Sequence, residues 1–345
     1  MTAATSTPAA GLARSVWLRS AGFILALALL AVVSLLSVFI GARDMSPGTI
    51  MNAIFAFDGS TEHIIVWELR VPRTVVGLIV GPALGVCGAL IQAFTRNPLA
   101  DPGILGVNAG AGFAVTLAIG FFGLSSASQY VWFAMIGAAA VTVIVYIIGS
   151  TGPDKATPAK LTLAGVALSA VLGGVGSAIA LKNPQLFDGM RFWGVGSLSG
   201  RSMEVVAQIA PFIVVGLIIA LAVARPLNAL ALGDDLGRSL GVKIGSTRVL
   251  VIISVTLLAG AATAIAGPIA FVGLMVPHAV RWFTGPDQRW VIPYSMVVAA
   301  LLLLISDILG RVLLPTGELR VGLVTALVGA PVLIALARRK TASGL

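Results

Sequence analysis

Charge is scarce in this chain: Asp, Glu, Lys and Arg make up 10% of its 345 residues, against about 25% in a soluble domain. Thiols and imidazoles are scarcer still. The single cysteine, Cys87, lies inside an apolar segment, which excludes an intramolecular disulfide or a cysteine metal site and leaves a small packing residue. His63 and His278 are the only histidines and stand far apart. No HExxH and no GxxxxGK[ST] phosphate loop occurs, so the chain is expected to be neither a metalloenzyme nor an ATPase, and to bind no metal or cofactor of its own. The apolar segments are also nearly free of carboxylates, which ion-driven transporters place in mid-membrane. Asp307, in LLLLISDILGR, is the best candidate for a proton relay. The plainer reading is an i,i+4 pair with Arg311 on one helix face. The absence argues against ion coupling and toward a motor outside the chain.

What the chain has is hydrophobicity: 58% of residues, with a mean hydropathy of +1.04. The reading is an all-α polytopic membrane protein. Apolar runs give about ten transmembrane helices centred near 30, 82, 112, 139, 170, 213, 257, 276, 300 and 328, the eighth of them short. Residues 1–20 form a basic tail, 21–337 one transmembrane domain and 338–345 a second short tail. The first apolar run, about 21–40, has spanning length and no A-x-A site after it, so it is read as a retained helix. An even count puts both termini on one side. Taking that side as the cytoplasm collects fourteen of the 22 basic residues on inner segments, and the +9 excess lies wholly inside. That distribution removes any case for nucleic acid and sets both termini on the cytoplasmic side of the membrane.

Three stretches stand out. Residues 70–110 contain Arg70 and Arg73 around Pro72, then an apolar helix with Gly77, Gly81, Gly85 and Gly88, then a polar break at Thr95-Arg96-Asn97-Pro98. The glycines are expected to let neighbouring helices close to backbone distance. With Arg311, the two outer arginines are read either as headgroup anchors or as the basic half of a docking face. The inner loop 227–248, LNALALGDDLGRSLGVKIGSTR, places Leu230, Leu232, Leu236 and Leu240 at helical spacing, ended by Gly241. Such a helix either lies on headgroups or docks in a groove of a cytoplasmic protein. The outer loop 188–201 sets Phe192 and Trp193 among glycines, as a re-entrant or an interfacial segment.

Taken together, RxPRT, RNPLADPxxLG, GPIxFVGLxxPHxxR and Gly329-Ala330-Pro331-Val332-Leu333-Ile334 resemble the FecCD-type permeases. These are membrane subunits of type II ABC importers for iron–siderophore complexes, haem and cobalamin. Met190-Arg191-Phe192-Trp193 and Gly317-Glu318-Leu319-Arg320-Val321 look most like the ferric-enterobactin branch, of the D type. The resemblance implies the type II ABC importer permease fold, with both termini cytoplasmic. It implies a second, paralogous permease as partner in a heterodimer, two copies of an ATPase subunit carrying the ATP and Mg, and an extracytoplasmic siderophore-binding protein. It assigns ATPase coupling to Leu232, Gly233, Asp234, Leu236, Leu240 and Gly241, binding-protein docking to Arg70, Arg73 and Arg311, and a cytoplasmic gate to Asn97 and Leu99. Arg320 stands where many relatives have proline. A haem or cobalamin importer shares this architecture, and an ion-coupled secondary transporter is the more distant alternative.

Overall fold

A computed structural model of the chain describes Leu12 and residues 15–124, 126–151, 157–314 and 316–338. Most of the expected N-terminal tail, all but the first residue of the C-terminal tail, and Arg14, Asp154, Lys155, Arg339 and Lys340 of the charge count lie outside the described residues. Among those described, the regular structure is helical throughout: α1 (Val16–Phe39), α2 (Pro47–Phe55), α3 (Thr61–Ile65), α4 (Val71–Thr95), α5 (Val107–Phe122), α6 (Ala127–Ser150), α7 (Pro158–Leu181), α8 (Pro184–Trp193), α9 (Met203–Ala222), α10 (Ala224–Ala231), α11 (Asp234–Ser239), α12 (Ile244–Ala266), α13 (Val272–Thr284), α14 (Gln288–Val312) and α15 (Val321–Ala337). Local signals start them. Ser15, Thr157 and Ser202 accept from the backbone N–H three residues on at the heads of α1, α7 and α9, and Pro158 occupies the first turn of α7.

Each of the ten expected spans has a helix over its centre. Seven are long and apolar enough to cross a bilayer, counting residues 61–95, where a π-helical turn at 66–70 joins α3 to α4. The eighth departs most from expectation. α13 has 13 residues, about 20 Å of helix, and does not span alone. It begins beside Gly88, low on α4, so it occupies the inner half of the bundle. Above it runs extended chain, 267–271, between Gly267 at φ 75 and Phe271 at φ 69. Non-helical backbone at membrane depth needs protein around it. Here the neighbour is the 194–201 segment: Ser197 N–H donates to Ala266 O at 2.7 Å, and the Arg201 guanidinium reaches Ile265 O. The outer loop therefore turns inward, with Trp193 buried and Phe192 exposed.

α4 is the core. In its most apolar window 78% of residues are buried, against 17% for α7 and 6% for α1, so α1 and α7 are peripheral. Its glycines face one seam. A Cβ on Gly81 would stand 2.4 Å from Ala300 Cα, one on Gly85 2.4 Å from Ser295 O, and one on Gly88 1.7 Å from Gly273 O. A Cβ on Gly77 would meet side chains instead, Leu304 Cδ2 at 2.5 Å and Leu198 Cδ1 at 3.3 Å. α4 thus lies on α14 and α13 at a distance that only glycine permits, as small-residue interfaces do where lipid supplies no hydrophobic drive.

Candidate functional site

The inner loop is two helices where the leucine spacing predicts one. α10 ends at Leu232; Gly233, at φ 113, turns the chain through a conformation strained for any L side chain; α11 follows and Gly241, at φ 80, closes it. The break divides the leucines. Leu227 and Leu230 are buried against the bundle, whereas Leu232, Leu236 and Leu240 stand 62%, 56% and 63% exposed. Leu230 is therefore an anchor, and three leucines form the free apolar face.

The same break turns Asp234 inward. Its Oδ1 accepts from Arg96 Nη2 at 2.7 Å and its Oδ2 from Arg248 Nη2 at 2.8 Å. Arg96 also donates from Nε to Leu230 O at 3.1 Å. On the other side of α10, Asn228 Nδ2 donates to Asp287 Oδ1 at 2.6 Å, and its Oδ1 accepts from Gln288 N–H at 2.8 Å. Burial works to raise the Asp287 pKa. Hydrogen bonds from Arg289 and Asn228 outweigh it and hold the carboxyl below its ordinary range. The loop is thus tied to the foot of α4 and to the head of α14.

The turn after α4 is built from its own polar atoms. Arg96 takes the left-handed conformation at φ 51, Asn97 N–H donates to Gln92 O, and Asn97 Oδ1 accepts from Leu99 N–H at 2.9 Å. Asn97 and Leu99 are both exposed, which suits a surface that another chain or a solvated passage could meet. Behind them Gln92, fully buried, donates to Ala100 O, Gly273 O and Leu274 O and accepts from Arg281 Nη1 at 2.5 Å. The sequence placed Arg96 in the polar break without giving it a role, and Gln92 drew no attention there. The available signal was a glutamine and an arginine at the end of an otherwise apolar helix.

At the outer end the arginines are not the exposed face that was expected. Arg70, Arg73 and Arg311 are all buried. Arg73 grips Asp307 through Nε and Nη2, each at 2.8 Å, and reaches Glu318 Oε2 at 2.6 Å with Nη1. Arg311 shares Asp307 and donates to Ser37 O and Ile40 O. Arg70 donates to three carbonyls, those of Val38, Phe39 and Arg43. The physical reason is desolvation: guanidiniums in this layer must spend their donors on the protein. Asp307 makes the expected i,i+4 pair with Arg311 and a cross-helix pair with Arg73 that spacing could not reveal. What faces outward is a cleft of about 430 Å³ lined by Arg43, Arg70, Arg73, Arg311, Ser199 and Glu318. Arg320 does not join it; its guanidinium lies 4.8 Å above the Phe192 ring and donates to Phe192 O.

Residues 29–339 match the FecCD transport family. The chain belongs to that family. A FecCD relative in Escherichia coli K12, the ferric enterobactin transport system permease protein FepD, is 47% identical over 318 residues, covering 92% of this chain and 95% of its own. The siderophore transport system permease protein YfiZ of Bacillus subtilis 168 is 40% identical, over 88% and 91% of the two chains. A solved metal-chelate type ABC transporter in an inward-facing conformation superposes with a TM-score of 0.81 at 27% identity, over 92% of this chain and 99% of that one. This FecCD chain is accordingly a permease with an all-α polytopic fold, in the bacterial cytoplasmic membrane.

Proposed function

We propose that the chain is the membrane-spanning permease subunit of an ATP-driven importer that carries an iron–siderophore complex, of the catecholate class, from a binding protein into the cytoplasm. The observation that carries the reading is the triad Leu232, Leu236 and Leu240, displayed on a tied inner loop and covered by none of the described residues. A groove on a cytoplasmic ATPase subunit is the matching occupant. ATP and Mg act there, and two such subunits closing on each other would push the paired permeases. A paralogous second permease completes the passage.

At the outer end the cleft suits an acidic side chain from the binding protein better than a flat charged face would. Four arginines line it, against Glu318 and the buried Asp307. In this reading Arg43 meets the incoming carboxylate at the rim, and Arg70 supplies a buried positive charge hydrogen-bonded to carbonyls. The cargo class rests on the likeness to FepD. FecCD relatives named for ferric citrate and for hydroxamate are 41% identical, so the fold alone does not choose among them.

The test is co-purification. Leu232→Asp, Leu236→Asp and Leu240→Asp together should lower association with the ATPase subunit by about 10²- to 10⁴-fold, since each buried apolar anchor at an interface is worth about 1–2 kcal/mol. Wild-type yield of the ATPase with the triple variant would defeat the assignment. Uptake of ferric enterobactin, compared with ferric citrate, a ferric hydroxamate and cobalamin, tests the cargo separately.

A further inference from the structure

Asp234 lies within the loop that faces the ATPase, yet both of its carboxylate oxygens are spent inside the chain. Oδ1 pairs with Arg96 and Oδ2 with Arg248, at 2.7 and 2.8 Å. An exposed acid offered to a partner looks different: Asp235, next to it, is 99% exposed and has only Arg238, one turn on, at 3.1 Å. Gly233 is what separates the two roles. Its φ of 113 reverses the chain so that Leu232 and Leu236 face out while Asp234 faces the foot of α4.

Arg96, the receiver of the pair, is also the hinge residue of the turn. Its backbone sits at φ 51, one residue before Asn97 and three before Leu99. Its side chain holds the loop twice, through Asp234 and through Leu230 O at 3.1 Å. Arg248, the second receiver, lies in the first turns of α12. A displacement of α11 therefore reaches the end of α4 through the Asp234 carboxylate, and reaches α12 both through that carboxylate and through the short connection 240–243. The remaining tie, Asn228 to Asp287 and Gln288, holds α10 to α14 and does not touch the turn.

From this geometry we propose that Asp234 is a positioning residue that links the ATPase-facing loop to the inner turn at Asn97 and Leu99, so that movement of the loop re-aims the turn. The proposal rests on the loop being the ATPase contact. It assigns Asp234 a place in the transmission, with Leu232, Leu236 and Leu240 as the contact itself.

The experiment uses the full chain co-expressed with its second permease and its ATPase, in inside-out vesicles. Cys87 is buried and is this chain's only native cysteine, so labelling by a membrane-impermeant maleimide, read on this chain after it is resolved from its partners on a gel, reports on Leu99→Cys. Labelling of Leu99→Cys is measured without nucleotide and after trapping with ATP and vanadate. Trapping should change the labelling rate when Asp234 is present. In Asp234→Asn the ATPase should still co-purify while the nucleotide-dependent change is lost, and Asp234→Glu, which keeps the charge, should recover it. Arg96→Gln should reproduce the loss, and the double variant Arg96→Gln, Asp234→Asn should be no worse than either single, as expected for residues acting through one contact. Two results overturn the proposal. One is an intact nucleotide response in Asp234→Asn. The other is loss of ATPase binding in Asp234→Asn as severe as in Leu236→Asp, which would make Asp234 a contact. If the wild-type complex retains no ATPase, the importer reading fails as well, and that outcome is distinct from the other two.

Discussion

Gly88→Ala tests the packing of the bundle at its tightest point. The added methyl would stand 1.7 Å from Gly273 O, where contact between heavy atoms begins near 3.5 Å. Either α4 or α13 must retreat by roughly 2 Å at that level. Retreat is costly because Gly273 O and Leu274 O both accept from Gln92 Nε2, at 3.3 and 3.2 Å, one turn below. Overpacking costs about 1–3 kcal/mol, and two weakened hydrogen bonds add about 0.5–1.5 kcal/mol each. The expected destabilisation is about 3–5 kcal/mol. Gly77→Ala supplies the internal comparison, because its methyl meets Leu304 Cδ2, the movable end of a side chain, at 2.5 Å. That substitution should cost about 1 kcal/mol. Unfolding of the detergent-purified protein by increasing SDS, followed by tryptophan fluorescence, reads both. Equal midpoints for the two variants would refute the reasoning, since it depends on backbone being less able to yield than a leucine terminus.

Other substitutions probe the polar layers. Asp307→Asn leaves Arg73 and Arg311 without their shared carboxylate and should destabilise by about 3–5 kcal/mol in the same SDS titration. Glu318→Gln, removing a partly exposed acid that holds Arg73 through one bond, should cost far less. The Asn228–Asp287 tie carries a pH dependence of definite sign. Asp287 titrates below its ordinary value in the folded chain, so its stabilisation is fully present above about pH 4 and lost as the pH falls through the folded value. Amide exchange in α10 should therefore be unchanged between pH 7 and 5, after correction for intrinsic rates, and should accelerate only at more acid pH.

Much of this was legible in one dimension, and the limits have physical causes. Spans are readable because a bilayer demands a run of apolar residues, and each expected centre fell on a helix. The glycine positions 77, 81, 85 and 88 announced a close seam, though only the fold names Ala300, Ser295 and Gly273 as its other side. α13 misled as a span because hydropathy cannot tell apolar helix from apolar extended chain, and Gly267 and Phe271 set that difference through backbone conformation. The loop leucines misled as one stripe because helical spacing was counted through Gly233. The arginines misled in a more instructive way. A guanidinium at a helix end reads as surface, and whether it is buried depends on a carboxylate 234 residues away, as Asp307 is from Arg73. No local pattern contains that pairing.

α4 joins the two ends of the molecule. Its outer turn carries Arg73, fixed to α14 through Asp307; its inner cap is Arg96, fixed to the loop through Asp234. Between them lie Gly81, Gly85 and Gly88, whose nearest neighbours on α14 and α13 are backbone atoms. Interfaces packed to that distance have no soft layer in which one helix can slide by a fraction of a turn past another. A push received at Arg96 is then shared by α4, α13 and α14 as a body, while the exposed residues Asn97 and Leu99 lie outside that seam. The outer cleft rides on the same body, since Arg73 and Arg311 belong to α4 and α14 and are bound to one carboxylate. Seating an acid in the cleft and moving the loop would thus act on a single rigid unit. On this argument Asp307→Asn should weaken the nucleotide response of Leu99→Cys as well as stability, even though Asp307 lies at the opposite end of the helix.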